Sequence, residues 1–157
     1  MVWLEASALG HAMRDTGVWT YAVINLTHIF GVASLFGAIA ILDLRLLGVW
    51  RQIPLVALAR PATIVAGCGF AVAATTGPGL LATKATEYLG NPFLPIKLAA
   101  IALALLNIAV VHRLPAWKER ANPDMTERHK RQLAIAGGTS LICWVAAISA
   151  GRMIAYW

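Results

Sequence analysis

Few residues in this chain could do chemistry, and His28 comes first among them. It stands ten residues into an uncharged run from Trp19 to Leu42. A run of that length can cross a bilayer, so the imidazole must be satisfied by protein, water or a cofactor rather than by bulk solvent. Tyr21, Asn25, His28, Gly31 and Leu35 recur at helical spacing and share one face, which must look into a bundle. Gly31 lets either a neighbouring backbone or a flat ligand approach beside His28. Asn25 and His28 therefore have two roles open to them: contacts to a ligand, or hydrogen bonds that hold helices together.

Two cations extend the pattern. Lys97 lies about one turn inside an apolar run from Phe93 to Val111, on a broad face with Ala100, Ala104, Asn107 and Val111. Arg152 follows Ser149 near the end of the last apolar run, next to an aromatic belt of Tyr156 and Trp157 matched by Trp19 and Tyr21. Lys97 either snorkels outward or holds an anionic group. Together His28, Lys97 and Arg152 would suit a propionate, another carboxylate, or Glu87 folding in from the intervening loop. His28 could thus ligate a b-type haem or contact a porphyrin or quinone, with Asn25 and Gly31 beside it and Lys97 and Arg152 on the ligand's acidic groups. As a metal ligand His28 is a candidate only if haem is bound. A bis-histidine haem with His112 is excluded by depth, because at 1.5 Å per residue His28 would lie ~14 Å and His112 ~28 Å below the outer surface.

The elements that must position these residues are helical and membranous. The chain has 157 residues, 59% hydrophobic and 13% charged, with no room for a soluble domain beside its apolar runs. Uncharged or nearly uncharged stretches predict four transmembrane helices, at about 19–43, 61–83, 93–112 and 132–155, within a single membrane domain. Met1 to Arg14 reads as an amphipathic interfacial helix over 2–14, with Trp3, Leu4, Leu9 and Met13 as its apolar side. Asp15-Thr16-Gly17 would break it and cap the next helix. Glu5 and Arg14 interrupt the segment too early for a cleavable signal peptide. The expected fold class is all-α: an integral membrane four-helix bundle with a short N-terminal interfacial helix.

Along the second span Ala71, Thr75 and Gly79 form a small-xxx-small face. Gly77-Pro78-Gly79 predicts either a kink or unwinding that opens a cavity, or a helix end at Thr76. In Leu42-Asp43-Leu44-Arg45 the aspartate should seek a partner on another helix while Arg45 snorkels toward phosphates. The formal charge of +6 is topological rather than a nucleic-acid signature. Arg45, Arg51 and Arg60 fall in one loop, and Arg113, Lys118, Arg120, Arg128, Lys130 and Arg131 in another. The positive-inside rule puts both loops in the cytoplasm and both termini outside. Cys68 and Cys143 lie within spans without metal-site spacing and read as small packing residues.

The strings Thr27-His28-Ile29, Leu42-Asp43-Leu44-Arg45-Leu46-Leu47-Gly48, Asn91-Pro92-Phe93 followed by Lys97, Asn107 with His112, and Gly151-Arg152-Met153-Ile154-Ala155-Tyr156 together resemble an uncharacterised family of bacterial four-span inner-membrane proteins. The resemblance covers nearly the whole chain and carries no established activity. More distantly, a first-span histidine and a lysine opening the third span are similar to the CopD-like copper-resistance proteins and the HemJ-type protoporphyrinogen oxidases. That resemblance implies haem, porphyrin or copper chemistry, with His28 and Lys97 at the matching positions. The chain lacks the methionine or histidine cluster that would hold copper firmly.

A membrane redox protein is the leading functional expectation. The alternatives are a noncatalytic accessory subunit docking a membrane-complex partner or a second copy of itself, and transport of a metal or small anion. Against transport, no inverted repeat is evident. Hydrolysis is excluded, since no serine, histidine and acid share a depth.

Overall fold

A computed structural model describes residues 1–15, 17–122 and 124–157. Seven α-helices follow one another: α1 (Val2–Glu5), α2 (Ala8–Asp15), α3 (Val18–Leu46), α4 (Leu55–Thr83), α5 (Phe93–Arg113), α6 (Pro115–Lys118) and α7 (Glu127–Met153). Short 3-10 turns cover Ala85–Tyr88 and Ile154–Tyr156, and no strand occurs among the described residues. Four helices are long and apolar enough to cross a membrane. Even the shortest, α5 with 21 residues, reaches ~31 Å at 1.5 Å per residue, enough for the hydrocarbon core. The protein is an all-α, multi-pass membrane protein.

Its packing is that of a chain solvated by lipid. Alanines dominate the buried positions, Ala59, Ala82, Ala104, Ala116 and Ala147 among them, while Phe30, Ile64, Leu106 and Ile142 are exposed. A soluble protein would invert this order. In a bilayer large apolar side chains gain nothing by turning inward, whereas small ones let helix backbones approach and gain dispersion contacts.

The chain divides into two compact units, Met1–Leu35 with Val65–Asn91 and Phe36–Ile64 with Pro92–Trp157. In the first, the N-terminal part of α3 runs against the C-terminal part of α4. The amphipathic segment before them is two helices rather than one. Ser7 closes α1 by donating its hydroxyl to the Leu4 carbonyl, and its oxygen then accepts from the Gly10 amide, so the segment bends at Ala6 and Ser7. Gly10 allows the bend, because a Cβ there would come within 2.3 Å of the Glu5 carbonyl oxygen. Glu5 then accepts from both the amide (2.8 Å) and the hydroxyl (2.6 Å) of Thr86, and Met13 packs its sulfur over Gly79. Trp3, expected on the apolar side, is 80% exposed. In the expected Asp15-Thr16-Gly17 cap, Thr16 lies outside the described residues. Gly17 takes a left-handed φ of 86° just before α3, which an L side chain rarely tolerates.

In the second unit all four long helices feed one core. Leu42 from α3, Ala59 and Ala62 from α4, Val111 from α5, and Leu133 and Ala136 from α7 pack with Trp117 of α6 and with Met125. This core is the expected four-helix bundle. The predicted inner face of α5 is the one observed: Ala100, Ala104 and Val111 are buried, and Asn107 donates its side-chain amide to the Ala136 carbonyl of α7 at 3.0 Å.

Two helices begin five or more residues before their predicted spans. α4 begins at Leu55, not Pro61, and α7 at Glu127, since charged residues at a membrane boundary continue a helix as readily as apolar ones do. Thr126 caps α7 by accepting from the His129 amide.

Candidate functional site

His28 belongs to the first unit and meets Thr76 of α4, with His28 Nδ1 2.8 Å from the threonine hydroxyl oxygen. The direction of this bond depends on one proton. The Thr76 hydroxyl also reaches the Val72 carbonyl one turn earlier, at 2.7 Å, and a hydroxyl has a single proton to give. With the hydroxyl proton on Val72, His28 Nδ1 carries the ring hydrogen and donates to Thr76; with that proton turned to the ring, Nδ1 accepts it. In the first arrangement the neutral ring keeps its lone pair on Nε2. This tautomer is the one histidines adopt when they ligate a metal through Nε2, their other nitrogen being fixed by a hydrogen bond.

The helices come this close because glycines face each other three residues on. A Cβ at Gly31 would lie 2.9 Å from Val72 Cγ1 and 3.0 Å from both the Ala73 amide and the Gly69 carbonyl. At Gly69 it would lie 2.6 Å from both the Gly31 carbonyl oxygen and the Leu35 amide. Of the two occupants open for Gly31, the structure contains the neighbouring backbone. By the same edge of the ring, a Cβ at Gly77 would stand 3.4 Å from His28 Cε1 and 3.9 Å from Nδ1. Asn25, one turn before His28, is half-buried.

Gly77-Pro78-Gly79 does not break α4, which continues as α-helix to Thr83. Neither the expected unwinding nor a helix end at Thr76 occurs. The two glycines instead make room for neighbours, Gly77 for His28 and Gly79 for Met13. The contact face also differs from the Ala71, Thr75, Gly79 stripe: Ala71 and Thr75 are exposed. The working face is Gly69, Val72, Ala73 and Thr76, whose spacing is as regular as that of the stripe. Only the regular spacing of His28, Gly31 and Leu35 on α3 distinguishes it, because the two sets pair antiparallel.

Lys97 and Arg152 belong to the second unit. Lys97 is half-buried and lies along Gly151 of α7, where a Cβ would stand 3.6 Å from its Cδ, Cε and Nζ. Arg152 is exposed, stacks over the Tyr156 ring at 4.8 Å and donates to the Tyr156 hydroxyl. Glu87, the anion expected from the intervening loop, belongs to the first unit. It pairs with Lys84 at 3.0 Å on the surface, which raises the lysine's affinity for its proton through the hydrogen bond and the carboxylate charge.

Asp43 finds the partner on another helix that its position predicts: the Ser140 hydroxyl of α7 is beside it. Ser140 had no mark in the sequence beyond being a small polar residue in an apolar run. Asp43 is 4% exposed, and its Oδ2 has no hydrogen-bond partner among the described residues. Gly137 admits the backbone here, a Cβ being 3.0 Å from the Asp43 carbonyl oxygen. Arg45 turns into the loop that follows its helix. Its Nε donates to the Ile53 carbonyl at 2.7 Å and its Nη2 to the Arg51 carbonyl at 3.2 Å, closing the loop after α3.

His112 bonds the Ile108 carbonyl of its own helix, and His129 bonds Glu119 at 2.9 Å. Both cysteines are free, Cys143 buried and Cys68 exposed. Among the described residues no three His, Cys, Asp or Glu side chains gather as a metal cluster would require. Fold and site define an all-α multi-pass membrane protein with polar side chains bonded between its helices. No protein-family profile, curated protein or solved structure matches the chain.

Proposed function

We propose that this is a membrane-embedded redox protein in which His28 presents Nε2 to a b-type haem, or to a porphyrin or quinone, with Asn25 beside it. The reading rests on one observation: Thr76 holds His28 Nδ1 at 2.8 Å, and while its hydroxyl donates to Val72 the ring takes the tautomer that ligates through Nε2. Such a group would supply one-electron chemistry, and the protein's part is to set the imidazole's orientation and basicity. The basic loops on either side of α4 and α5 favour a bacterial inner membrane with both termini periplasmic, which puts His28 in the outer half of the bilayer. Expression with ample haem, purification and an absorption spectrum test the reading. The expected result is a Soret band near one haem per chain that His28→Ala abolishes. A colourless protein that also yields no porphyrin or quinone on extraction overturns it.

A second reading has its own support. His28 with Thr76, Asn107 with the Ala136 carbonyl and Asp43 with Ser140 all join one helix to another, as an accessory subunit needs if its polar groups serve only assembly. Recovery of a stoichiometric membrane partner, or of a homo-oligomer, with His28→Ala impairing assembly and no ligand signal to lose, selects this reading.

A further inference from the structure

In the second unit an open cavity of about 640 Å³ lies where α3 ends and where α4 and α7 begin. Arg45, Arg51, Arg120, Lys130 and Arg131 line it against a single carboxylate, that of Glu127. A positive-inside bias accounts for basic residues near this boundary, but not for how they are held. Arg45 is fixed by the Ile53 and Arg51 carbonyls. Arg51 donates Nε to the Gly48 carbonyl and packs across Gly48, where a Cβ would meet its Nη2 at 3.0 Å. Gly48 also has a φ of 100°, a conformation that L side chains rarely adopt. Arg120 donates Nη1 to the Trp117 carbonyl at 2.7 Å and stacks on the Trp117 ring, while its Nε is buried without a partner among the described residues. Three guanidinium groups are thus positioned by backbone carbonyls, which satisfy some of their donors, while the one carboxylate, paired with Lys130 at 2.8 Å and within electrostatic reach of Arg51, leaves the lining with an excess of positive charge.

We propose that this cavity binds a phosphate-bearing anion. Guanidinium forks match phosphate oxygens in geometry, and the first turns of α4 and α7, which border the cavity, add the positive ends of their dipoles. The lining also includes Leu47, Val56 and Leu133, and it lies at the ends of the membrane spans, the level at which lipid phosphates sit. A phospholipid headgroup and a soluble phosphate compound share this chemistry, and the test separates them.

The full chain, purified in detergent and stripped of lipid, is titrated with phosphatidylglycerol, phosphatidylcholine or inorganic phosphate and read by native mass spectrometry and isothermal calorimetry. The expected result is saturable binding of one anion per chain. A preference of about tenfold for phosphatidylglycerol over phosphatidylcholine identifies the lipid source, and binding of inorganic phosphate that phosphatidylglycerol does not displace identifies the soluble one. Arg51→Gln with Arg131→Gln should weaken binding about fivefold for each charge removed. Glu127→Gln, at an exposed position, should tighten it by a similar factor. The pair Arg113→Gln with Lys118→Gln removes equal charge outside the cavity and should leave binding unchanged. Absence of saturable binding to any of the three, or equal weakening by the two pairs, overturns the proposal.

Discussion

At the scale of the residue, the bond between His28 and Thr76 couples a signal visible in the sequence to one that is not. An imidazole in an apolar run is conspicuous because its transfer into hydrocarbon is costly. Thr76 is inconspicuous because a helical threonine satisfies its hydroxyl on its own preceding turn, as the bond to Val72 does. Thr76→Val should cost ~0.6–1 kcal/mol, the usual worth of an interhelical bond in a membrane, with Thr76→Ser keeping most of it; unfolding in mixed micelles measures both. Glu5 gives a pH prediction. The Thr86 hydroxyl, then the Thr86 amide, hold its carboxyl below the ordinary value of 4.5, with Arg14 adding to the effect and partial burial opposing it. A depressed carboxyl stabilises docking fully above the ordinary value and loses that contribution as pH falls through the lower folded value. Amide protection in residues 1–15, relative to the intrinsic rate at each pH, should therefore fall below pH 4.5, and Glu5→Gln should show the lower protection at neutral pH. No change in either case refutes the role of the carboxylate.

At the scale of the element, glycine distribution on α4 separates packing from tolerance. A Cβ at Gly69 would collide with the backbone of α3, whereas one at Gly67 meets nothing within 4 Å. Gly69→Ala should destabilise by ~1–3 kcal/mol through forced separation of the helices. Gly67→Ala should be neutral or slightly stabilising, since alanine is the better helix former. Thermal unfolding of the two variants in one detergent checks the contrast, and equal effects contradict the crossing described here. Gly77-Pro78-Gly79 teaches the same lesson in reverse. Read as punctuation, it predicted a break, but the helix continues, since proline is tolerated in membrane helices whose neighbours re-satisfy the backbone, and the two glycines lie beside His28 and Met13. The N-terminal segment departs from one amphipathic helix because Ser7, an ordinary polar residue by composition, caps both of its halves.

At the scale of the whole molecule, the charge asymmetry between loops predicts topology. A reporter active only in the periplasm, fused after Trp157, should be active, and the same reporter inserted between α5 and α7 should be silent. The lipid-facing surface yields a second check: Ile142→Lys, at a residue 72% exposed on α7, should reduce membrane insertion by ~3 kcal/mol at mid-span, read from glycosylation-tagged insertion assays. The number of spans and the all-α class were determined by the sequence alone. Apolar length and charge placement are one-dimensional quantities, and the bilayer reads them along the chain. Only the tertiary structure decided that Thr76 and not Thr75 faces His28, that Ser140 meets Asp43, that Gly31 receives a backbone, and that Arg45 turns into its own loop. The physical reason is that lipid and protein interior are equally apolar. Hydropathy therefore cannot say how far each helix is rotated, and small differences in backbone approach and hydrogen bonding make that choice.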